Sequence, residues 1–419
     1  MDLKKEIIQI AKNAKAARGY LANLAASEKN RILKEMAGNL RDKKAQILKA
    51  NKKDIALARA SKLPSAFIDR LALDEKGIEA MASGILEVIK LDDPIGKEIK
   101  SWQVPSGLRI HKVRVPLGVI AIIYEARPNV TADCIGLTFK SGNSVILRGG
   151  SEALNSNIAI FEAINEAAKR NDLPDGVINI ITTKDRRAID VLLKLNDYID
   201  VVIPRGGEGL IKKVVKLSRI PVIKHYKGIC HVFVDGYADL NMAETICFNA
   251  KVERPGVCNA MESMLVHRDV AVRFLPGMLK KFKEAQVEIR GCALTQKIGK
   301  DGIKKATDKD YRTEYSDLIL AVKVVDSFDE AVDHINEYGS HHSDSIVTDN
   351  ENNAKEFLKR VDSACVYVNA STRFTDGNQF GMGAEIGIST DKLHARGPMG
   401  LEELTSYKYI VYGNGQIRK

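Results

Sequence analysis

The sequence predicts an α/β protein built from two Rossmann-like, three-layer domains with a small additional β arm. Three observations carry that prediction. Short apolar, β-branched runs alternate with helical stretches from residue 119 to 203 and again from 232 to 368. A mostly helical region, residues 1–90, precedes the first series, and two segments with strand-like alternation, 108–115 and 406–412, stand outside both. Alternation of strand and helix is the pattern of a parallel sheet covered on both faces, whose strands read as continuous apolar runs because neither side meets water. At 419 residues the chain exceeds what one compact core organises, so two or more domains are expected.

The first helix carries Leu3, Ile7, Ile8 and Ile10 largely on one side, with lysines around them, and is expected to pack on the domain that follows. Ile32, Leu33, Met36 and Leu40 share one helix face, as do Ile78, Met81, Ile85 and Ile89, with Asp74 placed to cap the latter helix. Pro94 and Gly96 end the helical region. The stretch 108–115 (LRIHKVRV) mixes β-branched and basic residues and predicts an exposed strand. Runs at 119–123, 145–147, 177–181 and 201–203 predict the first parallel sheet, with helices at 152–169 and 186–195 between them. Runs at 232–234, 264–266, 319–325 and 365–368 predict the second, with the boundary near residue 230. Residues 1–98 and 116–230 thus form one domain, 231–395 the other, and 99–115 with 396–419 an arm whose last strand is expected to join the 108–115 segment in an intersubunit sheet.

Composition excludes several function classes. Hydrophobic residues make up 45% and charged residues 28% of the chain, the balance of a soluble globular protein. No apolar run approaches the roughly 20 residues that span a bilayer, and the N-terminus lacks the apolar block and cleavage site of a secretion signal. Six cysteines show neither a CxxC pair nor zinc-like Cys/His spacing, which predicts free thiols, no metal and a cytoplasmic, reducing location. The net charge of +10 arises from 64 basic residues interleaved with 54 acidic ones. Without an arginine-rich tail or an RNA-binding aromatic signature, this reads as a mildly basic surface suited to anionic small molecules, with no nucleic-acid partner.

The sharpest chemical signal is R-P-G-V-C-N-A at 254–260. Pro255 and Gly256 suit a tight turn, and Asn259 and Ala260 are expected to open a helix behind it. A cysteine at that junction would feel the positive end of the helix, which favours the nucleophilic thiolate, and its own N–H would help hold an oxyanion. The competing reading is a buried structural cysteine, and local pattern alone leaves Cys258 a candidate. No GxGxxG or GxxxxGK[ST] motif is present. Two glycine turns do stand where a strand gives way to a helix, Arg148-Gly149-Gly150-Ser151-Glu152 and Arg205-Gly206-Gly207-Glu208-Gly209. Such junctions can bring backbone N–H groups to a phosphate. The glycine-rich, charged stretch 377–400 reads as an ordered functional loop or a connector, with Glu385, His394 and Arg396 among its charged groups.

Several long segments resemble the γ-glutamyl phosphate reductase family of the aldehyde dehydrogenase superfamily. They are IYEARPNVTAD at 123–133, residues 137–153 around the Arg148 turn, IPRGGEGLI at 203–211, RPGVCNAMES at 254–263, SHHSD at 340–344, VNASTRF at 368–374 and GAEIGISTDKLHARGPMGLEELTSYKYI at 383–410. The resemblance spans residues 1–412 and implies an aldehyde-dehydrogenase-like fold. It makes the first domain NADP-binding, the second catalytic and the arm a device for homodimer or homotetramer assembly. It also maps the nucleophile to Cys258, the adenosine-side contact to Arg148 with Ser151, the pyrophosphate turn to Gly206 and Gly207, and the nicotinamide-ribose contact to Glu314. Asn129 is the choice for the oxyanion hole, and Arg127, Arg373 and Arg396 are candidates for the substrate anion. The implied reaction is reduction of L-glutamyl 5-phosphate by NADPH through a Cys258 thioester, with a glutamate 5-kinase as the partner that supplies the acyl phosphate for proline biosynthesis. One departure from hydrolytic relatives matters: where they carry a water-activating glutamate in Glu-Leu-Gly-Gly, this chain has His225-Tyr226-Lys227-Gly228.

Overall fold

A computed structural model describes residues 2–125, 127–300 and 302–418 of the chain. In chain order the strands are β1 (Glu98–Gln103), β2 (Arg109–Pro116), β3 (Val119–Tyr124), β4 (Ser144–Arg148), β5 (Ile178–Ile180) and β6 (Val201–Arg205). There follow β7 (Cys230–Val234), β8 (Met261–His267), β9 (Glu288–Gly291), β10 (Lys304–Lys305), β11 (Ile319–Val325), β12 (Ser343–Val347) and β13 (Cys365–Val368). The last are β14 (Ile388–Ser389), β15 (Gly397–Pro398) and β16 (Thr405–Tyr412). The chain divides into two compact units. The first comprises Met1–Lys224, Gly381–Gly387 and Met399–Lys419, and the second His225–Phe380 with Ile388–Pro398. That division falls after Lys224 rather than near 230. The irregular stretch before β7 is already tied into the second unit, where the Ile229 N–H donates to Ser340 Oγ at 2.8 Å.

In the first unit, the described strands form a parallel four-stranded sheet in the order β5-β4-β3-β6. Every residue of β3 is buried, because helices lie on both faces. Alternation along the strand assigns Val119, Ala121 and Ile123 to a core shared with Ile7, Ala11, Ile189 and Val214. The expected N-terminal helix is present as Leu3–Asn23, with Ile7, Ala11, Ala14, Ala17 and Leu21 buried. Asp74 caps the helix Glu75–Lys90, accepting the Gly77 N–H at 2.7 Å. The arm is an antiparallel sheet in the order β1-β2-β16. As expected, the C-terminal strand joins the 108–115 segment, and it does so within one chain, from Thr405 opposite Pro116 to Tyr412 opposite Arg109. A strand edge is satisfied by whichever partner is tethered nearby, and both segments belong to this unit.

In the second unit, the described strands form a parallel seven-stranded sheet in the order β10-β9-β11-β8-β7-β12-β13. Val232 and Val234 of β7 face a core built with Phe274, Met278 and Phe282. Phe233, between them, faces the opposite core with Ile335, Ile346 and Phe357. This sheet therefore also has a helical layer on each face, and both units are Rossmann-like three-layer structures. A small antiparallel pair, β14 with β15, spans the Ile388–Pro398 segment of this unit.

Candidate active site

The first unit gathers its predicted residues at the carboxyl ends of its strands, where open parallel sheets bind ligands. β3 and β6 are neighbours whose connections leave to different strands, so the crevice lies beyond Tyr124 and Arg205. The Glu125 N–H donates to the Arg205 carbonyl at 3.0 Å, and the Glu125 carboxylate accepts the Gly207 N–H at 2.9 Å. Gly207 is the N-cap of the helix Glu208–Leu217, so this carboxylate stands where a helix start attracts anions. A Cβ at Gly206 would lie 2.6 Å from Cδ of Glu125, so the turn is shaped for close approach of an anionic group. Glu125 was not singled out by sequence; an acidic residue in a loop carries no signal of its own until the fold brings it to Gly207.

Arg148 ends β4 and is 6% exposed. Its Nη1 donates to the Gly149 carbonyl at 2.8 Å, whereas Nε and Nη2 are buried without a protein partner among the described residues, as is Nδ2 of the neighbouring Asn157. Burial draws the guanidinium pKa down. A buried cation with unanswered donors is the signature of an absent acceptor. Ser151 opens the 3-10 turn Ser151–Ala153 and donates to Glu152 Oε1 at 2.9 Å. Asn129 opens the helix Asn129–Lys140 and donates to Asp133 Oδ2 one turn on, at 3.1 Å. Arg127 is exposed in the loop just before it.

The second unit holds Cys258. It lies in a turn between the end of the helix Leu240–Val252 and the start of β8. This corrects the expectation that a helix opens at Asn259: residues 258–260 form a turn and bend, and a strand follows at Met261. The turn is braced instead by specific contacts. The backbone of Gly228 runs against it, so that a Cβ there would lie 2.0 Å from the Cys258 carbonyl oxygen. The Cys230 thiol donates to that same carbonyl at 3.2 Å, and burial holds Cys230 protonated by raising its pKa. Asn259 is buried, with its Nδ2 donating to the Thr375 carbonyl at 2.8 Å and its carbonyl accepting from Thr372 Oγ1 at 2.7 Å.

Arg373 and Arg396 are committed within this unit. Arg373 donates to Asn259 Oδ1, and its Nε lies 3.2 Å from Glu253 Oε2, so it ties together residues on either side of Cys258. Arg396 Nη1 lies 2.8 Å from Asp362 Oδ1 and Nη2 donates to the Asp362 carbonyl at 2.9 Å, while its Nε is buried without a partner among the described residues. Glu314 is half-buried in the loop before β11, and its charge helps raise the pKa of Glu262. His225 holds its Nδ1 2.9 Å from the Ile388 carbonyl, which places the ring proton on that nitrogen, and meets His342 edge-on at 5.8 Å. Burial, and then the neighbouring His225, keep His342 neutral, with a pKa of about 3.

The chain matches the aldehyde dehydrogenase family over residues 2–290 and 306–410. It is 58% identical over 419 residues to the γ-glutamyl phosphate reductase of Clostridium acetobutylicum, and 55% identical over 419 residues to that of Thermodesulfovibrio yellowstonii, covering 100% of both chains in each case. The crystal structure of γ-glutamyl phosphate reductase from Thermotoga maritima superposes with a TM-score of 0.96 at 48% identity, covering 99% of this chain and 100% of that one.

Proposed function

This chain belongs to the γ-glutamyl phosphate reductases of the aldehyde dehydrogenase family, and from that premise we propose that it reduces L-glutamyl 5-phosphate to L-glutamate 5-semialdehyde with NADPH. The full-length likeness to chains named for that reduction carries the reading. Cys258, as thiolate, attacks the acyl carbon; a C–S bond forms as the C–O bond to phosphate breaks, and inorganic phosphate leaves. When bound, NADPH supplies the hydride that converts the Cys258 thioester to the aldehyde, with the C–S bond breaking to regenerate the Cys258 thiolate. Splitting one difficult step into two through a covalent intermediate is the advantage of the nucleophile.

The residues present fit the cofactor. The unanswered Nε and Nη2 of Arg148 suit the oxygens of a 2′-phosphate, which a guanidinium can engage in pairs. The Gly206–Gly207 turn suits the pyrophosphate, which would compete with the Glu125 carboxylate for the Gly207 N–H. Ser151 is assigned beside Arg148, and Glu314 to the nicotinamide ribose. Asn129 and the Cys258 N–H are assigned to the developing oxyanion. Arg127, Arg373 and Arg396 are the candidates for the substrate anion, of which Arg373 also serves Glu253 and Asn259 and Arg396 also serves Asp362. Free thiols at the six cysteines fit a cytoplasmic enzyme. The lability of acyl phosphates makes a glutamate 5-kinase the natural supplier, and the β1-β2-β16 arm is assigned to homo-oligomer assembly.

The test is NADPH consumption when glutamate, ATP and a glutamate 5-kinase are supplied together. Consumption that requires all three is expected. No consumption by folded protein in the presence of the active kinase would overturn the proposal.

A further inference from the structure

Beneath the nucleophile turn lies a pair of charges that the chemistry above does not use. Lys251, in the last turn of the helix Leu240–Val252, places its Nζ 2.7 Å from Oε2 of Glu262, the second residue of β8. Both side chains are 0% exposed. The other carboxylate oxygen, Oε1, accepts the N–H of Ser316 at 2.9 Å, which Ser316 presents from a left-handed backbone conformation, φ 52°. The titratable groups facing the pair are the carboxylates of Glu314 and Asp317 from the loop before β11, and the neutral Cys230 thiol from β7.

A buried ion pair is an expensive way to hold a fold, since apolar residues of similar volume often do as well. Its placement here supplies a reason for it. Residues 251 and 262 are the two sides of the neck from which the segment 253–260 loops out, and that segment carries Cys258. The pair closes the neck from below while Arg373 bridges Glu253 and Asn259 within the loop. Ser316 joins the closed neck to the loop that bears Glu314. Burial raises the pKa of Glu262 to about 7 and lowers that of Lys251, so each charge depends on the other to persist.

We propose that Lys251 and Glu262 are positioning residues that fix the neck of the Cys258 turn and thereby set where the nucleophile stands. The proposal rests on the reading of Cys258 as nucleophile, and its test includes a readout independent of turnover. In the double variant Lys251→Met/Glu262→Leu, an apolar pair replaces the ionic one. Its melting temperature is expected to stay close to that of the parent. Its kcat should fall at least about tenfold with the NADPH KM within about twofold, as expected when a reacting group is misplaced but binding is intact. Amide hydrogen exchange should quicken across 253–260 and remain unchanged within Leu240–Val252 and along β8. A second variant, Glu262→Gln, keeps the shape while removing the charge, and the same local exchange and kcat loss are expected in its folded fraction. Parental kcat and parental exchange at 253–260 in either folded variant would overturn the proposal. So would exchange that rises equally through the helix and β8, because the pair would then be holding the fold rather than the turn. If Cys258→Ala keeps its turnover, the chemical reading fails, while the exchange result still decides whether the neck is clamped.

Discussion

The backbone of Gly228 lies so close to Cys258 that a methyl group at position 228 would stand 2.0 Å from the Cys258 carbonyl oxygen and 2.6 Å from its Cα. Gly228 closes the His225-Tyr226-Lys227-Gly228 stretch, so that segment is the wall against which the Cys258 turn rests. Gly228→Ala is therefore expected to push Cys258 out of place. Turnover should fall by roughly 10²-fold, the scale associated with a displacement of about 1 Å at a reacting centre. Gly38→Ala is the control. A Cβ there meets nothing within 4 Å, in the middle of the helix Ala26–Asp42, so it should leave kcat unchanged and stabilise the protein by about 0.5–1 kcal/mol. Equal kcat in the two variants would show that the Gly228 contact is without consequence for catalysis.

Arg148 offers a test of cofactor choice. Removing its guanidinium takes away charged hydrogen bonds worth about 1.5–3 kcal/mol each. Arg148→Ala should raise the NADPH KM by roughly 10-fold or more, with a much smaller effect on NADH, measured by initial rates with each cofactor. Equal effects on both would remove Arg148 from the 2′-phosphate.

The arm bears on assembly. Trp102, Tyr407, Tyr409, Val411 and Tyr412 are exposed large side chains on β1 and β16, a surface of the kind that marks protein contacts. Because β16 pairs with β2 of the same chain, deleting residues 404–419 strips a neighbour from β2 and removes much of that surface. Analytical ultracentrifugation is expected to give at least a dimer for the intact protein, and monomer or insoluble material after the deletion. A fully active intact monomer would contradict the assignment.

Much of this architecture was legible in advance because its cause is local. The run 319–325 is apolar since β11 is mostly buried within its sheet, and both it and the run 365–368, which forms β13, have the bounds of their strands. β12 escaped notice because its sequence, SDSIV, looks like a loop. Its polar groups are answered by distant partners: Asp344 by His231, Ser343 by Thr375 and Ser345 by the Ala370 carbonyl. The strand after Cys258 is expected from the run 264–266, but its first residues are missed for a similar reason. Glu262 makes its beginning look polar, and only Lys251 explains how a carboxylate can be buried there. Whether an arginine braces the fold or awaits a ligand is equally a long-range property. Arg373 finds Glu253 across 120 residues of sequence, and no motif near Arg373 announces it.

If Cys258 carries the proposed thioester, the absence of a glutamate from His225-Tyr226-Lys227-Gly228 predicts how it is discharged. Phosphate arrives already anionic, whereas water needs a base whose help is typically worth about 10²–10⁴-fold in rate. The His225 Nδ1 proton is engaged by the Ile388 carbonyl at 2.9 Å, and the ring packs edge-on against His342. Oxidation of glutamate 5-semialdehyde by NADP⁺ should therefore depend strictly on added phosphate or arsenate in a non-phosphate buffer. Brisk formation of free glutamate without either anion would mean that another residue activates water.

The central claim is a covalent acyl group on one particular sulfur, and mass spectrometry can look for it directly. Glutamate 5-semialdehyde and NADP⁺ are mixed with the enzyme in phosphate-free buffer, quenched in acid and digested. The account predicts a hydroxylamine-labile glutamyl adduct on the peptide containing Cys258, formed in step with NADPH and lost when phosphate is added before the quench. An adduct on another cysteine, or NADPH formed in stoichiometric amount with Cys258 unmodified throughout, would contradict it.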